Sequence, residues 1–220
     1  MTAQALTQDR SPQSASFDAI PDLFGPIGVR MHFAAVEEIY AQEEEADLVY
    51  KVASGAVRTT RLLSDGRRQI GDFYYPDDLF GLETGLEHRF SAEALADCEI
   101  LVVKRTALKH YGEDGGRVER AIWAATAKEL ERTQEHLMLL GRKTACEKVA
   151  SFLLDLAARF KGEFTQLPMG RQDMADYLGL TIETVSRMLT QLQGDGLVEF
   201  TGCRKFRVKH RAGLARLVVT

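Results

Sequence analysis

Two short helix-forming runs separated by one glycine constrain this chain more than any other feature. Arg171–Leu178 contains no helix breaker, and Gly179 stands where a helix would end in the left-handed conformation. The sequence then reads Leu-Thr-Ile-Glu-Thr-Val-Ser-Arg from Leu180 to Arg187, with Thr181 placed to cap a second helix through its hydroxyl. Ala175, Leu180, Val185 and Leu189 are the small or apolar positions expected to pack the two helices together. The pattern predicts a helix-turn-helix over residues 171–190. Residues three and four apart on a helix share a face, so Glu183 points the same way as Ser186 and Arg187. A carboxylate accepts from cytosine N4, and a guanidinium reaches guanine O6 and N7. Glu183, Ser186 and Arg187 are therefore the expected base-contacting residues of a major-groove reading head. Thr181, Ile182, Thr184 and Arg171 are expected to support it or to meet phosphates.

The region after this helix strengthens the expectation. Gly194-Asp195-Gly196 turns into an apolar run at Leu197–Phe200, and Thr201-Gly202 leads to a second run at Lys205–Val208, the pattern of a β-hairpin wing. Arg204, Lys205 and Arg207 lie on it, followed by Lys209 and Arg211. Such cations position a protein on a duplex by neutralising phosphates, without reading sequence. The whole chain carries a net charge of −4, which hides a split. Residues 142–220 hold 13 basic and 8 acidic side chains, a net of +5, whereas residues 1–141 hold 15 and 24, a net of −9. Charge asymmetry of this kind is expected when only one part meets a polyanion.

Upstream, the pattern from Ile27 to Tyr111 is one of short strands and turns. Leu48, Tyr50 and Val52 alternate with Val49, Lys51 and Ala53, and Gly55 ends the run. Val57–Leu63 and Gln69–Tyr75 flank Asp65-Gly66, a strong hairpin signal. Ile100–Val103 supplies another strand, and strands at this spacing predict a sandwich or jelly roll. Arg117–Leu140 lacks proline and glycine and predicts a long helix. Its Ile122, Thr126, Leu130, Thr133, Leu137 and Leu140 recur at spacings of 4, 4, 3, 4 and 3. That stripe fits a coiled-coil seam between two subunits or packing on the chain's own sheet. Gly141 is expected to end or kink this helix, Thr144–Phe160 to form another, and Lys161–Gly170 to be a loop.

Several function classes lose support on composition. No apolar run approaches the roughly 20 residues that span a bilayer, so no membrane partner is expected. The first 26 residues lack the pattern of a secretion signal and are expected to form a polar tail. Three scattered cysteines, Cys98, Cys146 and Cys203, fit a reducing cytoplasm. The five histidines show no metal-ligating spacing, and Asp77, Asp78 and Glu83 have no nucleophile or phosphate cradle beside them. The expectation is a non-enzyme with no metal and no cofactor. Cys203, near the wing turn, is either an incidental thiol or one whose oxidation would add bulk and charge close to phosphates.

In this order, strands, long helix and winged motif resemble the CRP/FNR superfamily of transcription regulators over Ile27–Val208. The segment Tyr177–Arg187 is similar to the FNR and FixK branch, whose Glu, Ser and Arg at these spacings read a TTGAT half-site. The resemblance implies a homodimer formed through the long helix, with Ile122, Leu130, Leu137 and Leu140 in the seam. It also implies a target like TTGAT-N4-ATCAA, and RNA polymerase as a partner touched by the loop near Asp77–Glu83 and by residues 158–168. Ile182 precedes the glutamate where the cyclic-AMP-responsive branch has arginine, which favours the TTGAT-like box.

Departures from the family shape the rest of the expectation. Its nucleotide binders use a Gly-Glu pair and an Arg-Ser pair, whereas here Leu82 follows Gly81 and Phe90 precedes Ser91, with Arg89 one residue away. Its oxygen sensors bind a [4Fe–4S] cluster through three N-terminal cysteines and one in the roll; Cys98 matches the last, but residues 1–97 contain none. The expected fold is α+β: a tail at 1–26, a β-roll (jelly roll) at 27–112, a dimerisation helix at 113–141 and a winged helix-turn-helix at 142–220. The expected function is a cytoplasmic, FixK-like activator that binds double-stranded DNA without an effector. The alternatives are an effector-gated regulator with a small ligand around Leu82–Ala92, and a winged-helix protein-interaction module, or a vestigial enzyme, that never binds DNA.

Overall fold

The computed structural model describes residues 24–25, 27–83, 85–109, 115–160 and 162–218. Eight strands precede the long helix: β1 (Val29–Phe33), β2 (Glu38–Tyr40), β3 (Leu48–Ser54), β4 (Val57–Leu62), β5 (Arg68–Tyr74), β6 (Leu79–Phe80), β7 (Ser91–Ala94) and β8 (Cys98–Lys104). They form two antiparallel four-stranded sheets, ordered β1-β8-β3-β6 and β2-β7-β4-β5. The expected jelly roll is therefore present. The β4–β5 hairpin turns at Asp65-Gly66, where Gly66 has φ +83°. Between the sheets, Tyr50, Val52, Val57, Tyr74, Phe80, Ile100 and Val102 form a buried core.

A short helix α1 (Arg105–Lys109), which strand alternation gave no reason to expect, leads toward α2 (Gly115–Arg142). Phe24, within the expected tail, is buried with Val49, Leu101, Leu108 and Val118, so at least this residue of that segment packs on the roll. The remainder of that tail, residues 1–23, and the boundary at 112–113 lie outside the described residues. α2 passes Gly141 and ends at Arg142, one residue beyond the expected stop.

Thr144 then caps α3 (Ala145–Arg159) with a capping box: Thr144 Oγ1 accepts from Glu147 N, and Glu147 Oε2 accepts from Thr144 N. The expected loop at 161–170 contains β9 (Thr165–Gln166), two residues too short to leave a strand pattern. α4 (Arg171–Leu178), α5 (Ile182–Gly194), β10 (Val198–Thr201), β11 (Lys205–Val208) and α6 (Arg211–Arg216) complete the chain. β9 pairs with β11, so the wing is a three-stranded sheet ordered β10-β11-β9.

One apolar cluster crosses the boundary between the two halves. Ile70, Phe73 and Tyr75 of the roll pack with Phe152, Leu153, Met174, Leu178 and Val185. Phe73 lies edge-on to Phe152 at 6.0 Å and 5.2 Å from Tyr177. Full burial of a large apolar side chain stabilises by about 1.5–3 kcal/mol, so this cluster seats the C-terminal domain firmly on the roll.

Candidate nucleic-acid interface

The motif is assembled as its sequence dictates. α4 ends at Gly179, whose φ of +61° is the left-handed conformation that only glycine adopts without strain. The chain then reverses, with Leu180 N donating to Ala175 O at 3.0 Å. Thr181 caps α5: its Oγ1 accepts from Thr184 N at 3.3 Å and lies 3.1 Å from Thr184 Oγ1. Val185, Leu189 and Leu192 face inward and are buried, with Leu180 and Met188 packed beside the same cluster. That choice of inward face leaves Glu183 and Arg187 exposed, one helical turn apart, with Ser186 half-buried beside them. Ile182 is exposed next to them and Thr184 is half-buried.

The helix start also tunes its own chemistry. The backbone N–H of Glu183 and the Thr181 hydroxyl hold the Glu183 carboxyl below the usual glutamate range. It is therefore an acceptor throughout the neutral range. Arg171, exposed at the first residue of α4, donates from Nη1 to Ser186 Oγ at 3.3 Å, a link across the motif with no sequence signal beyond residue type.

The wing cations divide into two groups. Arg204 and Lys205 are exposed near the turn, where Gly202 has φ +67° and Cys203 is exposed beside them. Arg204 Nη1 approaches Pro168 O at 3.5 Å, and Lys205 Nζ stands 5.0 Å from the centre of the Phe164 ring. Arg207 is already matched: its Nε and Nη2 donate to Glu199 at 3.1 and 2.9 Å, and its Nη1 donates to Glu163. Its charge serves the wing first.

The expected dimerisation residues separate in space. Leu130 and Leu137 are exposed, and Leu140 is half-buried. Ile122 instead packs against the chain's own roll, beside the cluster of Val49, Leu108 and Val118. The exposed apolar residue at that end of α2 is Trp123, which stands seven residues before Leu130 as Leu130 stands before Leu137. Apolar spacing alone does not say which of the adjacent Ile122 and Trp123 faces the core.

In the roll, the residues around the family's nucleotide position line an open cavity of about 540 Å³ against α2. Leu82 offers no polar group, the Phe90 ring lies against Gly71, and Arg89 is exposed at the edge. Glu83, the nearest carboxylate after Gly81, is engaged by His88 Nδ1 at 3.3 Å, and its backbone carbonyl accepts from Arg105. Cys98 is fully buried, with its thiol 3.2 Å from Ala56 O and 3.0 Å from Ala96 O, and burial pushes its pKa up. It is a core thiol. Among the described residues no group of three or more His, Cys, Asp or Glu is placed to hold a metal ion, and no helix is long and apolar enough to cross a membrane.

Comparison with known proteins agrees with this arrangement. Residues 147–217 match the family model described as a Crp-like helix-turn-helix domain, and residues 30–113 match the cyclic nucleotide-binding domain model. The chain is 47% identical to the nitrogen fixation regulation protein FixK of Azorhizobium caulinodans, an alignment covering 98% of this chain and 87% of that protein. It is 41% identical to FixK of Rhizobium meliloti, covering 82% of each. The solved structure of FixK2 from Bradyrhizobium japonicum superposes with a TM-score of 0.82 at 47% identity, covering 87% of this chain and 97% of that one.

Proposed function

Because this chain belongs to the CRP/FNR family of transcription regulators, in its FixK-like branch, we propose that it acts as a homodimeric activator of a TTGAT-N4-ATCAA-like palindrome, without a small-molecule effector. The observation that carries this reading is the exposed face of α5, where Glu183, Ser186 and Arg187 stand together, followed in the chain by the exposed Arg204 and Lys205 of the wing. Each subunit would lay α5 in a major groove, with half-sites about one helical turn, roughly 34 Å, apart. The wing cations would grip phosphates while the α5 side chains choose the sequence. Binding of the intact chain to the palindrome and to single-base variants, followed by fluorescence anisotropy, tests it. Glu183→Ala and Arg187→Ala should each cost about 1–3 kcal/mol per half-site and relax preference at the base pair each reads. Unchanged preference in both variants refutes the assignment.

Effector independence draws support from the roll, where Glu83 is engaged by His88 and the Phe90 ring lies against Gly71. The rival reading, a small ligand in the roll, draws on the cavity bordered by Arg89 and Arg132. A ligand that prefers the native state raises the melting temperature, so a thermal-shift series with cyclic nucleotides decides between them. Contact with RNA polymerase would use the exposed Asp77 and the segment around Glu163, both at the surface of the chain.

A further inference from the structure

A serine hydroxyl carries one donor and two acceptor sites, so by itself it pairs with either kind of group on a base edge. Helical hydroxyls commonly give their proton to the carbonyl one turn back. In this chain Thr126 donates to Ile122 O at 2.9 Å, Thr133 to Glu129 O at 2.8 Å and Thr190 to Ser186 O at 3.0 Å. Ser186 departs from that habit. Among the described residues its Oγ donates to no carbonyl and accepts from Arg171 Nη1, a residue 15 positions away on the preceding helix. A guanidinium has five N–H groups and no acceptor, so the direction of this bond is fixed.

We propose that Arg171 is a positioning residue that sets the polarity of the Ser186 hydroxyl. With a lone pair held by a cation, the hydroxyl presents its proton outward, and the bond to a charged partner strengthens it as a donor. One acceptor site remains, but the cation weakens it as it strengthens the donor, so the bond favours a base edge that offers an acceptor, namely thymine O4, guanine O6 or a purine N7, over the amino group of cytosine. The remaining N–H groups of Arg171 stay available to a phosphate, so one side chain serves both affinity and choice of sequence. This inference rests on the base-reading role proposed for α5.

The test is competition binding of the full-length chain and its Arg171→Ala, Ser186→Ala and doubly substituted variants to a panel of duplexes with each half-site base pair replaced in turn. Ser186→Ala should lower discrimination at one base pair by about fivefold, the loss of one hydrogen bond. Arg171→Ala should weaken binding to every duplex and also flatten discrimination at that same base pair. The double variant should discriminate there no worse than Ser186→Ala alone. Should Arg171→Ala weaken all duplexes equally and keep the wild-type profile, Arg171 is only a phosphate anchor and the inference fails while the reading of α5 stands. If Glu183→Ala, Ser186→Ala and Arg187→Ala all leave the profile unchanged, the base-reading role itself fails and takes this one with it. Arg171, Glu183 and Arg187 are at the surface, and melting temperatures measured alongside identify any variant whose fold has changed.

Discussion

Arg58 Nη1 of the roll and Asp173 Oδ1 of α4 lie 2.7 Å apart, an ion pair that ties the N-terminal domain to the first helix of the reading motif. The same carboxylate receives Arg68 at 2.6 Å, and its other oxygen accepts from Gly170 N at the start of α4. Arg68 also reaches Asp176 at 2.7 Å, and Arg58 is held in place by Glu93. Two arginines from adjacent strands therefore grip the cap of the helix that carries Arg171.

Removing one member of such a buried set leaves the others uncompensated, which costs about 3–5 kcal/mol. Asp173→Ala should fall at the low end of that range, because Arg58 keeps Glu93 and Arg68 keeps Asp176, while each loses one of its two carboxylates and Gly170 N loses its acceptor. Arg58→Ala should cost less, since Arg68 remains on the carboxylate. Urea unfolding of the three proteins checks the order. An unchanged midpoint for Asp173→Ala would show that this ion-pair set adds nothing to the apolar cluster around Phe73 and Phe152.

Asp78 is a second junction, with a side chain only 4% exposed. It receives Lys128 at 2.9 Å and Arg132 at 2.6 Å on one oxygen and Arg159 at 3.0 Å on the other, joining a roll turn to α2 and α3. Burial raises its carboxyl pKa, but Arg132, Arg159 and Lys128 together outweigh burial and hold it below the usual aspartate value. A folded-state value below the unfolded one, about 3.9, contributes stability above that pH and loses it as pH falls through the folded value. Asp78→Asn should therefore cost about 3 kcal/mol at neutral pH, and the gap to wild type should close as pH drops below about 4. Asp72 and Glu129, which share Arg132 with Asp78, are pushed upward by burial, and the Asp78 charge adds to that push. Denaturation curves across pH measure it, and a gap that stays constant on acidification contradicts the account.

Local chemistry made the motif legible, and distance in sequence hid its supports. Gly179 and Thr181 act within a few residues of themselves, so the turn and the cap of α5 could be read from the chain, as could the hairpin at Asp65-Gly66. The face of α5 followed from helical spacing once Val185 and Leu189 were assigned to the core. The links from Arg58 and Arg68 to Asp173 span more than a hundred residues, and no periodicity reports them. Arg207 shows the same limit from the other side. Its charge looked available in a basic strand, but Glu199 across the hairpin and Glu163 before β9 already pair with it. β9 itself is stabilised by pairing with β11 rather than by any propensity of Thr165 and Gln166.

That pairing yields a distinction within the wing. Lys205→Ala or Arg204→Ala should weaken binding to all duplexes alike and lower the dependence of log affinity on log salt by about 0.9 for each phosphate no longer neutralised. Arg207→Ala should change that slope less, because its guanidinium is neutralised by two glutamates before any duplex arrives. Anisotropy titrations across a salt series separate the cases. A slope change for Arg207→Ala as large as for Lys205→Ala would mean that the glutamates release it on binding.

The outer face of α2 sets the last expectation. Trp123, Leu130 and Leu137 are 76%, 58% and 69% exposed and recur every seven residues, with Thr126 and Thr133 between them. A heptad of apolar side chains turned to solvent calls for a partner helix, and large exposed apolar patches mark association sites. Leu137→Glu places a charge at the seam without touching either domain core, so the variant should fold, sediment as a monomer and lose affinity for the full palindrome. Ile122→Ala should do the reverse, lowering stability by stripping apolar packing from the face of α2 that meets the roll while leaving assembly intact. Analytical ultracentrifugation with thermal unfolding resolves both effects. Should Leu137→Glu remain dimeric, two copies must meet through some surface other than this helix.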